Sequence, residues 1–134
     1  ASVFVYDEVH AATDAQPLVS LGRLGEHQPD LAAAIRLMER TIDRPLTVAA
    51  LARRLGFSTR KLETLFAAGL GIGPGKYYLR LRLTAAQRLV RDTSLSIQDV
   101  ALRSGFDSLS AFSRAFRHHF GASPLKLRAE QRAK

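Results

Sequence analysis

The sequence contains no cysteine, no tryptophan and no long apolar run. Without Cys the chain can form no disulfide, thiolate zinc site or Cys nucleophile, which fits a reducing cytoplasm. Its apolar runs are only a few residues long, far short of the ~18 that a membrane-spanning helix needs. The first residues also lack the basic segment and apolar stretch of a secretory signal. We therefore expect a cytoplasmic protein that does not enter a membrane.

Motifs of catalysis are missing as well. The sequence holds no G-x-S-x-G elbow, no H-E-x-x-H and no Gly-rich phosphate loop followed by Lys-Ser or Lys-Thr. The adjacent His118 and His119 would point about 100° apart on a helix, and no third metal ligand lies near them in the sequence. We predict no enzyme activity, no cofactor and no metal site.

Positive charge is abundant and unevenly spread. Residues 1–30 hold one basic and five acidic residues, whereas residues 31–134 hold 19 basic and seven acidic residues, a net charge of +12. A small domain with this charge repels itself, which favours a polyanionic partner, and nucleic acid is the usual one. The alternative interpretation is a basic surface that only keeps the protein soluble.

The apolar residues, 46% of the chain, suffice for a packed core in one domain or two very small ones. Residues 2–6 are strand-like, but one strand alone forms no sheet. We interpret residues 1–28 as the end of a preceding domain with a linker over 7–28. From Pro29 onward the periodicity is helical, and helices are predicted over 29–42, 74–92 and 108–120. The predicted N-caps are Thr47, Ser58, Ser96 and Ser123.

The chain repeats itself at an offset of 49 and, after one inserted residue, at an offset of 50. The first offset pairs Leu46/Leu95, Thr47/Ser96, Val48/Ile97, Leu51/Val100, Ala52/Ala101, Arg54/Arg103, Gly56/Gly105 and Phe57/Phe106. The second pairs Leu62/Phe112, Phe66/Phe116, Leu70/Phe120, Gly71/Gly121, Pro74/Pro124 and Lys76/Lys126. Each copy is typical of a helix-turn-helix, because a short helix, a glycine turn and a second helix follow one another.

These patterns predict an all-α fold of about seven helices. A first helix-turn-helix subdomain over 29–76 and a second over 93–134 are joined by a long linker helix over 74–92. That helix would be roughly 28 Å long, and adjacent major-groove segments lie about 34 Å apart on one face of a DNA duplex. The linker can therefore hold one helix of each subdomain in successive grooves.

One further pattern is long and specific. It comprises Arg82-Leu83, Ala86, Val90, Ile97, Val100-Ala101, Ser104-Gly105-Phe106, Phe112, Phe116, Gly121 and Ser123-Pro124. Through it, residues 40 to 128 resemble the DNA-binding domain of AraC/XylS-type bacterial transcription regulators. A weaker pattern comprises Leu24-Gly25, Pro29, Leu31, Leu37-Met38-Glu39 and Tyr77-Tyr78-Leu79. It resembles the subset of that family whose N-terminal sensor domain is like class I glutamine amidotransferases (the DJ-1/PfpI-like fold), and this implies that a small-molecule effector would bind that missing domain.

The resemblance implies that the second helix of each motif enters the major groove. Leu62, Leu65 and Phe66 must then face the core of the first motif, as Phe112, Phe116 and Phe120 do in the second. The outward residues, which are candidates for base reading, are Thr59, Arg60, Lys61, Glu63, Thr64, Leu109, Ser110, Ser113 and Arg114. Arg60 is suited to guanine, because a guanidinium can donate hydrogen bonds to O6 and N7 at the same time. Glu63 is suited to cytosine, because a carboxylate can accept a hydrogen bond from the N4 amino group. Leu109 suits a thymine methyl, and Arg114 a base or a phosphate.

The candidates for phosphate contact are Arg53, Arg54, Arg80, Arg91, Arg103, Arg117 and His118, with the helix N-termini at Thr47 and Ser96. The alternative interpretation of each surface Arg is a side chain that contacts only water. Arg54 and Arg103 recur in both copies, which a shared structural bond to an acid would also explain. We interpret the adjacent Tyr77 and Tyr78 as residues that pack in the core, not as residues that stack on DNA bases.

The resulting hypothesis is a monomeric module of a bacterial AraC-type regulator that binds double-stranded DNA sequence-specifically. The regulator is expected to activate transcription. The alternative is a protein–protein module that contacts RNA polymerase or the missing sensor domain. Binding to RNA is a weaker third option, because the sequence offers no aromatic platform on a sheet.

Overall fold

The computed structural model describes residues 18 and 20–133, and within this part the chain is helical with no strand. Eight helices follow one another: α1 (Leu21–His27), α2 (Pro29–Arg40), α3 (Val48–Leu55), α4 (Thr59–Leu70), α5 (Pro74–Asp92), α6 (Ile97–Arg103), α7 (Leu109–Phe120) and α8 (Pro124–Arg132). The predicted all-α fold is confirmed, with one helix more than expected. The strand-like residues 2–6 lie outside the described residues. Among the residues that the structure describes, none of the helices combines the length and the hydropathy of a membrane-spanning segment.

The additional helix, α1, occupies part of the segment that the sequence predicts to be a linker. Leu21 and Leu24 lie one turn apart and pack against the first core together with Leu18. Gly22 and Gly25 weaken the helical signal in the sequence, because glycine is a poor helix former. Burial of the leucines against α2 outweighs that weak propensity. The next predicted helix, over 29–42, ends earlier, at Arg40.

Local signals fix most of the other helix ends. Ser58 Oγ accepts a hydrogen bond of 3.0 Å from the N–H of Lys61 and so caps α4. Hydroxyls of Thr47, Ser96, Ser108 and Ser123 cap α3, α6, α7 and α8 in the same way. Pro74 begins α5 at a position where its missing N–H costs nothing. The predicted N-caps and the predicted bounds of the linker helix are therefore confirmed.

Two hydrophobic cores lie along α5. The first core contains buried residues of α2, α3, α4 and the N-terminal part of α5, including Leu31, Met38, Leu51, Leu62, Phe66 and Tyr77. The second contains buried residues of the C-terminal part of α5, α6 and α7, including Leu83, Val90, Val100, Phe112, Phe116 and Phe120. Each helix-turn-helix therefore has its own core, and the linker helix contributes to both.

The repeat extends to hydrogen bonds that close each motif. The Tyr78 hydroxyl in α5 accepts a bond of 3.0 Å from the Leu46 N–H and donates one of 3.2 Å to the Thr41 carbonyl. Arg128 in α8 donates to the carbonyls of Leu95 at 2.6 Å and Val90 at 3.1 Å. Tyr78 and Arg128 are related by the offset of 50, and their partners by the offset of 49. Different side chains thus hydrogen-bond the backbone at equivalent positions of the two copies.

Candidate nucleic-acid interface

The first candidate surface is the outer face of α4. Leu62 and Phe66 are fully buried in the first core, and Leu65 is half-buried against it. Because helix residues three and four apart share a face, this packing turns the other side of α4 to solvent. The structure places all five predicted base-reading residues of this helix on exposed surface: Thr59, Arg60, Lys61, Glu63 and Thr64.

Lys61 differs from its neighbours because it makes contacts within the protein. Its Nζ lies 3.1 Å from Oδ2 of Asp30 in the first turn of α2 and 4.1 Å from the centroid of the Phe57 ring. Both side chains of the ion pair are about half exposed, at 47% and 52%. This exposed pair holds the start of α2 beside the start of α4. Sequence reasoning missed it because the two residues lie far apart in the chain.

The second candidate surface is the outer face of α7. Phe112, Phe116 and Phe120 form a row on the inner side, with ring centroids 5.5 and 4.6 Å apart. Leu109 is 45% exposed although it is apolar. Ser110 and Arg114 are exposed, whereas Ser113 is half-buried. The side opposite the phenylalanine row therefore carries Ser110 and Arg114. Leu109 lies in line with the row and is exposed because it is the first residue of α7.

The predicted phosphate contacts fall into two groups. The exposed residues are Arg53, Arg54, Arg91, Arg103, Arg117, His118, Thr47 and Ser96. Arg80 is instead half-buried in α5. Among residues 18 and 20–133, no acidic side chain pairs with Arg54 or Arg103. A shared bond to an acid therefore does not explain why the repeat has Arg at both positions.

His119 contributes little positive charge at neutral pH. Burial lowers its pKa below the ordinary value, and the nearby positive charges of Arg80 and His118 lower that pKa further. Its ring meets the Phe120 ring edge-on at 4.7 Å. His118, by contrast, is exposed. In the part of the chain that the structure describes, no three His, Cys, Asp or Glu residues are grouped to hold a metal ion.

Arg82 has a structural role that sequence reasoning did not assign. Its Nε and Nη2 donate hydrogen bonds of 2.9 and 2.7 Å to the carbonyls of Ser104 and Gly105. Its guanidinium also lies over the Phe106 ring, 4.3 Å from the centroid. Burial lowers the pKa of Arg82, and Tyr78 and Asp107 oppose that effect. The linker helix thus holds the turn of the second motif directly.

The fold and the two exposed faces define a double helix-turn-helix domain. Residues 51–130 match a family model described as a helix-turn-helix domain. The chain is 37% identical over 131 residues to the HTH-type transcriptional regulator GbdR of Pseudomonas aeruginosa, covering 98% of this chain and 36% of that protein. The chain thus spans little more than a third of this relative.

Solved structures agree with the family match. A transcriptional regulator from Chromobacterium violaceum, described as an AraC-type DNA-binding domain-containing protein, is 43% identical with a TM-score of 0.75, over 80% of this chain and 96% of that one. The DNA-binding domain of AdpA, in complex with a target DNA, is 32% identical with a TM-score of 0.73, over 78% and 94%. The chain belongs to the AraC-type helix-turn-helix family of DNA-binding domains. This is a family of transcription regulators and not of enzymes.

Proposed function

We propose that this domain binds duplex DNA sequence-specifically and that α4 and α7 each read one of two adjacent major grooves. The observation that carries the proposal is the duplication: each motif buries an apolar helix face and presents a polar, basic opposite face. The net charge of +12 over residues 31–134 supports it, since phosphate contacts dominate affinity for DNA. The solved complex of the AdpA domain with a target DNA supports DNA as the partner.

The proposal for the whole protein is wider. A small-molecule effector bound by a preceding sensor domain would control this module. The module would bind DNA as a monomer in the bacterial cytoplasm. It would activate transcription by contacting RNA polymerase. The exposed apolar side chains Leu102 and Leu125, 56% and 68% accessible, favour a protein contact in addition to DNA. A gel shift with native promoter DNA and unrelated competitor DNA tests the DNA-binding part. A shift that unrelated DNA abolishes as well as unlabelled promoter DNA would contradict sequence-specific binding, and no shift with any duplex would leave only the protein-binding function.

Arg60→Ala and Arg114→Ala should each weaken operator binding by about 5- to 150-fold, because each bidentate base contact contributes about 1–3 kcal/mol. The operator is first selected by the wild-type domain from random DNA, and binding is then measured by fluorescence anisotropy. Each variant should also lose its preference at one operator position. Arg36→Ala, on the exposed side of α2, serves as the control with unchanged affinity. Equal weakening on every sequence would show that the residue contacts only phosphate.

Asp30→Asn should strengthen DNA binding by about two- to fivefold, because exposed ion pairs contribute about 0.2–1 kcal/mol and their loss frees Lys61 for the DNA. The change also removes a negative charge beside α4. Glu39→Gln, on the same helix but in its last turn, is the matched control for net charge. The measurement is anisotropy at low salt. If both variants bind equally well, Lys61 does not reach the DNA.

A further inference from the structure

Gly105 forms a close contact between the two motifs. Its φ of +83° makes the turn between α6 and α7 possible, and Gly56 has the same role in the first motif with φ of +76°. The surroundings of the two glycines differ. A Cβ on Gly56 would meet no atom within 4 Å, whereas a Cβ on Gly105 would clash with the Ile42 carbonyl oxygen and lie 2.7 Å from Pro45 Cδ. The second turn therefore abuts the loop between α2 and α3.

Both segments at this contact are attached to one face of the linker helix. Tyr78 bonds the loop at Thr41 and Leu46, and Arg82 bonds the turn at Ser104 and Gly105. Tyr78 and Arg82 are four residues apart, so they lie one above the other on α5. We call this arrangement the junction: Tyr78, Arg82, the loop 41–46 and the turn 104–106.

The junction is narrow. Beside the Gly105 contact lies an open cleft of about 400 Å³, lined by Asp43 and Arg44 on the first motif and by Leu102 and Asp107 on the second. Because the cleft separates these side chains, the backbone contact at Gly105 and the two anchors on α5 join the turn to the loop, in addition to the packing of both cores on α5. A shift at Gly105 would therefore move α7 relative to α4.

We propose that Gly105, held with the loop 41–46 by Tyr78 and Arg82, fixes a single distance and angle between α4 and α7 and thereby selects the spacing between the two half-sites in DNA. Gly105 is a positioning residue that does not itself contact DNA. One inserted base pair turns the second half-site by about 35° and moves it by about 3.4 Å. A rigid junction cannot follow that change, whereas a loosened one can. The inference rests on the proposed function, because it assumes that both motifs bind DNA.

The first test measures the distance between the recognition helices without DNA. The chain has no Cys, so spin labels can be attached only at the introduced pair Ala67→Cys and His118→Cys, both on exposed positions of α4 and α7. Double electron–electron resonance should give one narrow distribution of distances between the two labels when the rest of the chain is wild type. Gly105→Ala should shift or broaden it, whereas Gly56→Ala, with the same backbone strain and no clash, should retain it. Identical distributions for Gly105→Ala and the wild type would overturn the proposal.

The second test measures spacing selectivity on operator DNA selected by the wild-type domain. Adding or removing one base pair between the half-sites should weaken wild-type binding by about tenfold, equivalent to one lost base contact. Gly105→Ala should change this ratio. A broadened distance distribution should bring the original and altered spacings within about threefold of each other, and a shifted one should favour an altered spacing. Gly56→Ala should retain the wild-type ratio. An unchanged ratio in Gly105→Ala would contradict the junction, and failure of the wild type to bind any duplex would contradict the proposed function instead.

A second variant keeps the proposal testable if Gly105→Ala does not fold. Tyr78→Phe keeps the buried ring and removes only the hydroxyl that bonds the loop 41–46. If circular dichroism shows that Gly105→Ala is unfolded, the same two measurements are made on Tyr78→Phe. A broadened distance distribution and a reduced spacing ratio support the junction, and wild-type values for both overturn it.

Discussion

Raising the salt concentration from 50 to 200 mM should weaken operator binding by about 10³-fold. Each phosphate that a Lys or Arg neutralises adds about −0.9 to the slope of log K against log salt, so about six contacts give a slope of about −5. Six exposed arginines are available for these contacts: Arg53, Arg54, Arg91, Arg103, Arg114 and Arg117. The measurement is a fluorescence anisotropy titration at several salt concentrations.

Single substitutions separate phosphate contacts from net charge in this experiment. Arg54→Gln should make the slope shallower by about one, because one counterion release is lost. Arg23→Gln, in α1 and outside both motifs, should leave the slope unchanged. A wild-type slope shallower than about −2 would show that most of these arginines lie away from the DNA backbone.

Phe116→Ala should lower the free energy of unfolding by about 3–5 kcal/mol, the usual cost of removing a buried aromatic side chain. Phe116 is fully buried in α7, between Phe112 and Phe120. Natural domains are stable by only about 5–15 kcal/mol, so this loss removes much of the stability of the second motif. Urea denaturation followed by circular dichroism measures the change.

The same variant tests whether the two cores serve different half-sites. Phe66, its counterpart in the first copy, lies in the first core. Phe116→Ala should therefore reduce reading of the half-site bound by α7, whereas Phe66→Ala should reduce reading of the half-site bound by α4. Leu109→Ala, at an exposed position of α7, should change stability by no more than about 0.5 kcal/mol. A loss below about 1 kcal/mol in Phe116→Ala would contradict the assigned core.

Features encoded by neighbouring residues could be predicted from the sequence. Ser58 caps α4 because its hydroxyl reaches an N–H three residues ahead, and Pro74 begins α5 because it needs no partner for its missing N–H. The inward row of Phe112, Phe116 and Phe120 follows from helical spacing alone. The same periodicity predicts the exposure of Arg60 and Arg114. It does not predict Leu109, which is exposed at the end of the helix, or Ser113, which is half-buried although it was expected to face outward.

Features that depend on distant residues could not be predicted in this way. Arg82 bonds carbonyls 22 and 23 residues away, and such bonds leave no periodic signal in the sequence. Gly105 and Gly56 look equivalent in the repeat, and only their surroundings in the fold distinguish them. Helix α1 was missed for a related reason, because tertiary packing of Leu21 and Leu24 overrides the weak propensity of its glycines.

Hydroxyl-radical footprinting of the wild-type domain on its selected operator tests the central claim most directly. If α4 and α7 enter adjacent major grooves, two protected segments should appear on one face of the duplex, with centres about 10 base pairs apart. Arg60→Ala should weaken protection of one segment, and Arg114→Ala that of the other. A single protected segment, or two segments on opposite faces, would contradict the claim that both motifs bind the same side of the DNA.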